Sequence, residues 1–104
     1  MNGSFIYPDT ISELLSACEK SLSGLVSIDE LQRVVQRAEG TIVAVEEKDI
    51  RNHLTNVEAE LELIKFTVEE AEQASAGRKV ASDLIKWIET RAAVRKHSTS
   101  SSGT

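Results

Sequence analysis

Residues 46–74 read EEKDIRNHLTNVEAELELIKFTVEEAEQA, and the spacing of their apolar positions decides the fold class. Ile50, Leu54, Val57, Leu61, Ile64, Val68 and Ala71 step alternately by four and three. An α-helix turns every 3.6 residues, so such a row falls on one face and packs lengthwise against other helices at the shallow angle of a bundle. The pattern predicts a long central helix over about 46–74, ended by Ser75-Ala76-Gly77.

Upstream, Pro8-Asp9-Thr10 announces a first helix, with Thr10 and Glu13 at capping-box spacing. Ile11, Leu14, Leu15, Cys18 and Leu22 form its apolar stripe, and Gly24 supplies a left-handed stop. Ser27 and Glu30 repeat the capping device, followed by Ile28, Leu31, Val34, Val35 and Ala38 on a second helix ending at Gly40. The β-branched run Thr41–Val45 reads either as an extended link or as a helix start, with Phe5–Tyr7 as a candidate pairing strand. Downstream, Val80, Ala81, Leu84, Ile85, Trp87, Ile88 and Ala92 define a last helix running to about Arg95. His97–Thr104 is a Ser/Thr/Gly tail expected to be disordered. The expectation is an all-α four-helix bundle: one domain over 1–96 and a tail over 97–104.

The chain has 104 residues, with 12 basic against 17 acidic side chains, a net charge of −5, four aromatics and one proline. That length supports one modest core and excludes large multi-domain enzymes. The longest apolar stretch, Ile42–Val45, is far too short to span a bilayer, and Met1–Tyr7 lacks the marks of an export signal. A single cysteine, Cys18, fits a reducing compartment, so a cytoplasmic protein is expected.

The charge is uneven. Residues 46–72 hold nine acids and three bases, whereas residues 73–104 hold two acids and six bases. On the long helix a stripe of Glu47, Glu58, Glu62 and Glu69 is interrupted by Arg51 and Lys65. It reads either as a solvated face laced by local ion pairs or as an acidic surface offered to a basic protein. Opposite the heptad row, Ala59, Leu63 and Phe66 make a second apolar face. That face belongs to the core if the helix is sandwiched between the others, and to a partner if it is not.

Catalytic chemistry finds little to work with. Asp49 and His53 lie one turn apart and offer two metal ligands where a site needs three or four. Cys18 sits on an apolar stripe, His97 lies in the tail, and the Glu58/Glu62 pair has nothing around it to shift its pKa values. The five glycines, at 3, 24, 40, 77 and 103, form no phosphate-binding loop. No catalytic residue, cofactor or metal is expected. Direct nucleic-acid binding would rest on Arg91, Arg95 and Lys96 alone, against a net acidic molecule, and is not expected either.

The turn Gly24–Leu31, reading GLVSIDEL into a capped second helix, followed by acidic helices, resembles that of bacterial immunity proteins. These small inhibitors protect cells from colicin-like or contact-dependent toxins. The resemblance spans residues 10–95 in organisation and implies a non-enzymatic binder that covers a basic toxin domain, often a nuclease. It carries no catalytic residues. On charge and exposure, Glu47, Glu58, Glu62, Glu69, Leu63 and Phe66 are the expected partner-binding residues. Two rival expectations are a self-associating scaffold whose heptad seam Ile50–Ala71 meets a second copy, and a phage-encoded inhibitor of a host defence enzyme.

Overall fold

Pro8 opens the first helix, since its fixed φ suits a first turn that has no use for its missing N–H. The computed structural model describes the backbone of residues 5–102 and the side chains of residues 5–93. Among the described residues four helices follow in order: α1 (Pro8–Leu22), α2 (Ile28–Thr41), α3 (Lys48–Thr67) and α4 (Glu70–Ser102), with a 3₁₀ turn at Val45–Glu47 before α3. There is no strand among the described residues. The tail expected over 97–104 falls outside the residues whose side chains are described.

The two capping boxes fare differently. Ser27 caps α2, its hydroxyl accepting the Glu30 N–H at 3.2 Å. Thr10 caps nothing, because α1 begins two residues earlier with Tyr7 at the cap position and no side-chain hydrogen bond there. Gly24 does end α1 in the left-handed region, at φ 77°. Around it the Leu25 N–H donates to Lys20 O at 2.8 Å and the Gly24 N–H to Ser21 O at 3.1 Å, the paired bonds of a Schellman stop. Leu22, placed on the stripe by sequence, faces outward at 41% exposure. Ser27→Ala should therefore cost about 1 kcal/mol and Thr10→Ala only a few tenths. Urea midpoints for the two variants decide it, and equal losses would contradict the assignment.

Between α2 and α3 the chain forms an irregular link in which Ile42 is buried while Val43 and Val45 face solvent. Phe5–Tyr7 does approach this link, but through a side chain rather than a ladder: the Ile6 N–H donates to Glu47 Oε2 at 2.8 Å. Phe5 is buried, with the Arg91 guanidinium 5.8 Å from its ring centroid.

The predicted single helix over 46–74 is divided. α3 ends at Thr67, Val68 is extended (φ −100°, ψ 136°), and α4 starts at Glu70. The expected break at Ser75-Ala76-Gly77 lies inside α4 instead. Gly77 has a different reason to be glycine: a Cβ built there would stand 2.8 Å from Ile28 Cγ1. It marks a close approach of α4 to the start of α2. At the division Gln73 Nε2 donates to Val68 O at 3.1 Å and Lys65 O at 3.4 Å, meeting carbonyls that a helix end leaves open. Folding back lets α4 bury its apolar face in the shared core, which a lone extended helix cannot do.

α1 packs against α2 and α4, α3 packs against the same two, and α1 and α3 occupy opposite corners. So α3 is one corner of a square, not a spine between layers. Ile50, Leu54, Val57, Leu61 and Ile64 are 0–8% exposed in the core, with Ile11, Leu14 and Cys18 from α1, Leu31, Val35 and Ala38 from α2, and Val80, Ala81, Leu84 and Ile88 from α4. The heptad seam is thus consumed within the protomer, and Ala71, read as its last member, is exposed.

Candidate protein-binding face

Antiparallel packing sets α2 and α3 side by side and draws Glu58 and Glu62, two of the four glutamates of the acidic stripe, into a seam of rungs. Lys65 Nζ donates to Asp29 Oδ1 at 2.7 Å, Gln32 Nε2 to Glu62 Oε1 at 2.6 Å, and Gln36 Nε2 to Glu58 Oε2 at 2.6 Å. Thr55 Oγ1 then donates to Glu39 Oε2 at 2.6 Å. The hydrogen bond from Lys65 holds the Asp29 carboxyl below its ordinary range. Glu39 and Glu58 share a hydrogen bond, which pushes Glu58 up, while Glu39, held first by Thr55, is lowered. The open depression over these rungs, about 270 Å³, is lined by Asp29, Gln32, Arg33, Gln36, Glu62 and Lys65.

The six residues expected to meet a partner therefore separate. Glu47 is a correction: it is 0% exposed and holds the Ile6 N–H, because the 3₁₀ turn before α3 takes it off the helical phase from which it was read. Glu58 is half-buried and bonded to Gln36. Glu62 is bonded to Gln32, yet its side chain keeps 48% exposure. Glu69 is exposed at the joint between α3 and α4.

Leu63 and Phe66 face solvent, at 60% and 77% exposure, with Ala59 exposed beside them. The sandwiched reading of this second face is not met, since no helix covers it. Helix geometry sets Glu62 one turn before Phe66 and Glu60 one turn before Leu63, so carboxylates border the apolar row on both sides. Past the joint, Glu70 and Glu72 are also exposed. The sequence reading missed Glu60, Glu70 and Glu72, although the three-residue spacing of Glu60 from Leu63 was there to be read.

The residues weighed for chemistry are engaged internally. Asp49 accepts two bonds from Arg91, at Nε (3.0 Å) and Nη2 (3.1 Å), and Arg91 also reaches Glu46 O at 3.4 Å. The Arg91 bond holds the Asp49 carboxyl down. The His53 ring stacks on Trp87 at 4.1 Å, within 3° of parallel, joining α3 to α4. Burial pushes the Cys18 thiol up to about 12. Among the described residues no group of three His, Cys, Asp or Glu side chains is placed to hold a metal, and no helix is long and apolar enough to cross a membrane. Arg91 is thereby withdrawn from the basic run, whose other members, Arg95 and Lys96, lie beyond the described side chains.

Burial lowers the pKa of His53, so the unfolded chain takes up its proton more readily. Stability due to this residue is whole above about pH 6.5 and is lost as pH falls from there through the folded value. His53→Phe keeps a ring on Trp87 and removes the proton. The fall in thermal midpoint between pH 7.5 and 5.5 should be smaller in the variant, and an equal fall would refute the assignment. Glu58, raised in the fold, acts with the opposite sign and cancels in the comparison.

Compared with protein-family models, curated proteins and solved structures, the chain matches none.

Proposed function

We propose that this protein is a non-enzymatic inhibitor of the immunity or antitoxin type, binding a basic partner domain through the outer face of α3. The observation that carries the reading is the exposure of Leu63 and Phe66, at 60% and 77%, on a helix whose other large apolar side chains are buried or half-buried. A small bundle gains nothing by presenting a leucine and a phenylalanine one turn apart, whereas an apolar anchor rimmed by charge is how interfaces are built. Glu60, Glu62 and Glu69 give that rim its sign. A basic domain, a nuclease among the candidates, would be steered to it and have its phosphate-binding cations covered. Glu58 adds field rather than contact, and Glu47 adds neither. The turn at Gly24–Leu31, capped by Ser27, is the stretch that resembles immunity proteins, and the buried thiol of Cys18 suits action in the cytoplasm. The test is a variant carrying Leu63→Ser and Phe66→Ser, which should lose both complex formation and protection against the toxin.

A further inference from the structure

The α3–α4 joint is two residues long, and the stretch from 48 to 76 contains neither glycine nor proline. Nothing local forbids one continuous helix. The bend is held from outside, by the packing of α4 on α1 and α3 and by Gln73, whose amide occupies Lys65 O in place of the Glu69 N–H that a continuous helix would put there. On a continuous helix a second regularity appears. Leu63 and Phe66 continue, in the same four-three steps through Glu70 and Gln73, into Gly77, Val80 and Leu84. Those last three are the buried face of α4. With successive residues 100° apart, the exposed pair and the core face of α4 fall on one side, and the heptad seam of α3 falls on the other.

We infer that the protein forms a dimer by exchanging α4, with α3 and α4 straightened into one helix. Each copy's α1–α3 receives α4 of the other, so every core contact is retained. The receiving copy then lies on the side of the long helix that carries Leu63 and Phe66, and covers the pair that the monomer leaves bare. A tight connection between two packed elements is the usual setting for such exchange. This inference does not rest on the proposed inhibitor role. If both hold, the dimer hides the binding face and the monomer is the active form.

The test combines light scattering with a spin-label distance between Asn56 and Lys86 of one chain, both exposed, read on doubly labelled protein refolded in a large excess of unlabelled protein, so that the short distance a swapped dimer keeps between its two copies is not seen. In the bundle these positions lie within a turn of His53 and Trp87, whose rings stack across α3 and α4; on a continuous helix they stand about 45 Å apart. Refolding at high concentration should yield a dimer with the long distance. A joint made more helical by Val68→Ala, Glu69→Ala and Gln73→Ala should shift the monomer–dimer constant toward dimer by roughly tenfold or more. Insertion of Gly-Gly-Ser after Val68 should give monomer alone. Failure of the alanine variant to dimerise would overturn the inference. So would a dimer that keeps the short distance, or one that persists with the insertion but is lost on Phe66→Ser, since that dimer forms by surface docking.

Discussion

Replacing Gly77 with valine should destabilise the bundle by about 2 kcal/mol, lowering the thermal midpoint by roughly 10 °C. The cost comes from space. A Cβ at this position stands 2.8 Å from Ile28 Cγ1, closer than real Cβ atoms approach, and a tight 3.2 Å from Cδ1, and Ile28 is packed against the core. Valine adds two further methyl groups to that contact, and its gain in helix propensity over glycine offsets only a few tenths of the overpacking. Gly40 is the control. It too is helical, in the last turn of α2, but a Cβ there meets nothing within 4 Å. Gly40→Ala should therefore stabilise by about half a kcal/mol through the smaller backbone entropy lost on folding. Opposite signs at two helical glycines, read from urea midpoints, would establish that α4 is pressed onto α2 at residue 77. An unchanged Gly77→Val protein would show that they do not meet there.

Gly24 and Gly77 show what the sequence could and could not reveal. Both looked like helix stops, since propensity alone makes glycine a terminator. Gly24 was one because its φ is positive, whereas Gly77 is a contact between segments 49 residues apart, which no local pattern records. The apolar row from Ile50 to Ile64 was legible because burial in the core imposes the helical period directly. Its continuation through Val68 and Ala71 kept the same period, so the division after Thr67 left no local mark; the back-packing of α4 and the Gln73 amide impose it. Glu47 was misplaced because helical phase was carried back across a turn that is not α-helical. Ser27 was readable where Thr10 was not, since Pro8 had already supplied a start for α1. The second face at Leu63 and Phe66 was visible from spacing, but whether a helix covered it was decided by the corner position of α3.

The second large effect concerns that face. Changing Leu63 and Phe66 together to serine should weaken the complex at least about 100-fold, because two apolar anchors at the centre of an interface contribute most of its affinity. The same change should alter stability by only about half a kcal/mol, since both side chains are largely in water already, so lost binding would not be lost folding. Charge reversal at Glu62 and Glu69 should act differently. It should slow association and flatten the salt dependence, leaving dissociation less affected, because rim charges steer the encounter more than they hold the complex. Glu58→Gln should change binding little, as its carboxyl is already bonded to Gln36.

Affinity capture from the native cell, with the wild type and the Leu63→Ser/Phe66→Ser variant side by side at low and high salt and mass spectrometry of what is retained, tests the central claim most directly. The account predicts a basic protein held by the wild type at low salt, weakened by high salt and absent from the variant. Retention of the same protein by the variant, or an acidic partner indifferent to salt, would contradict it.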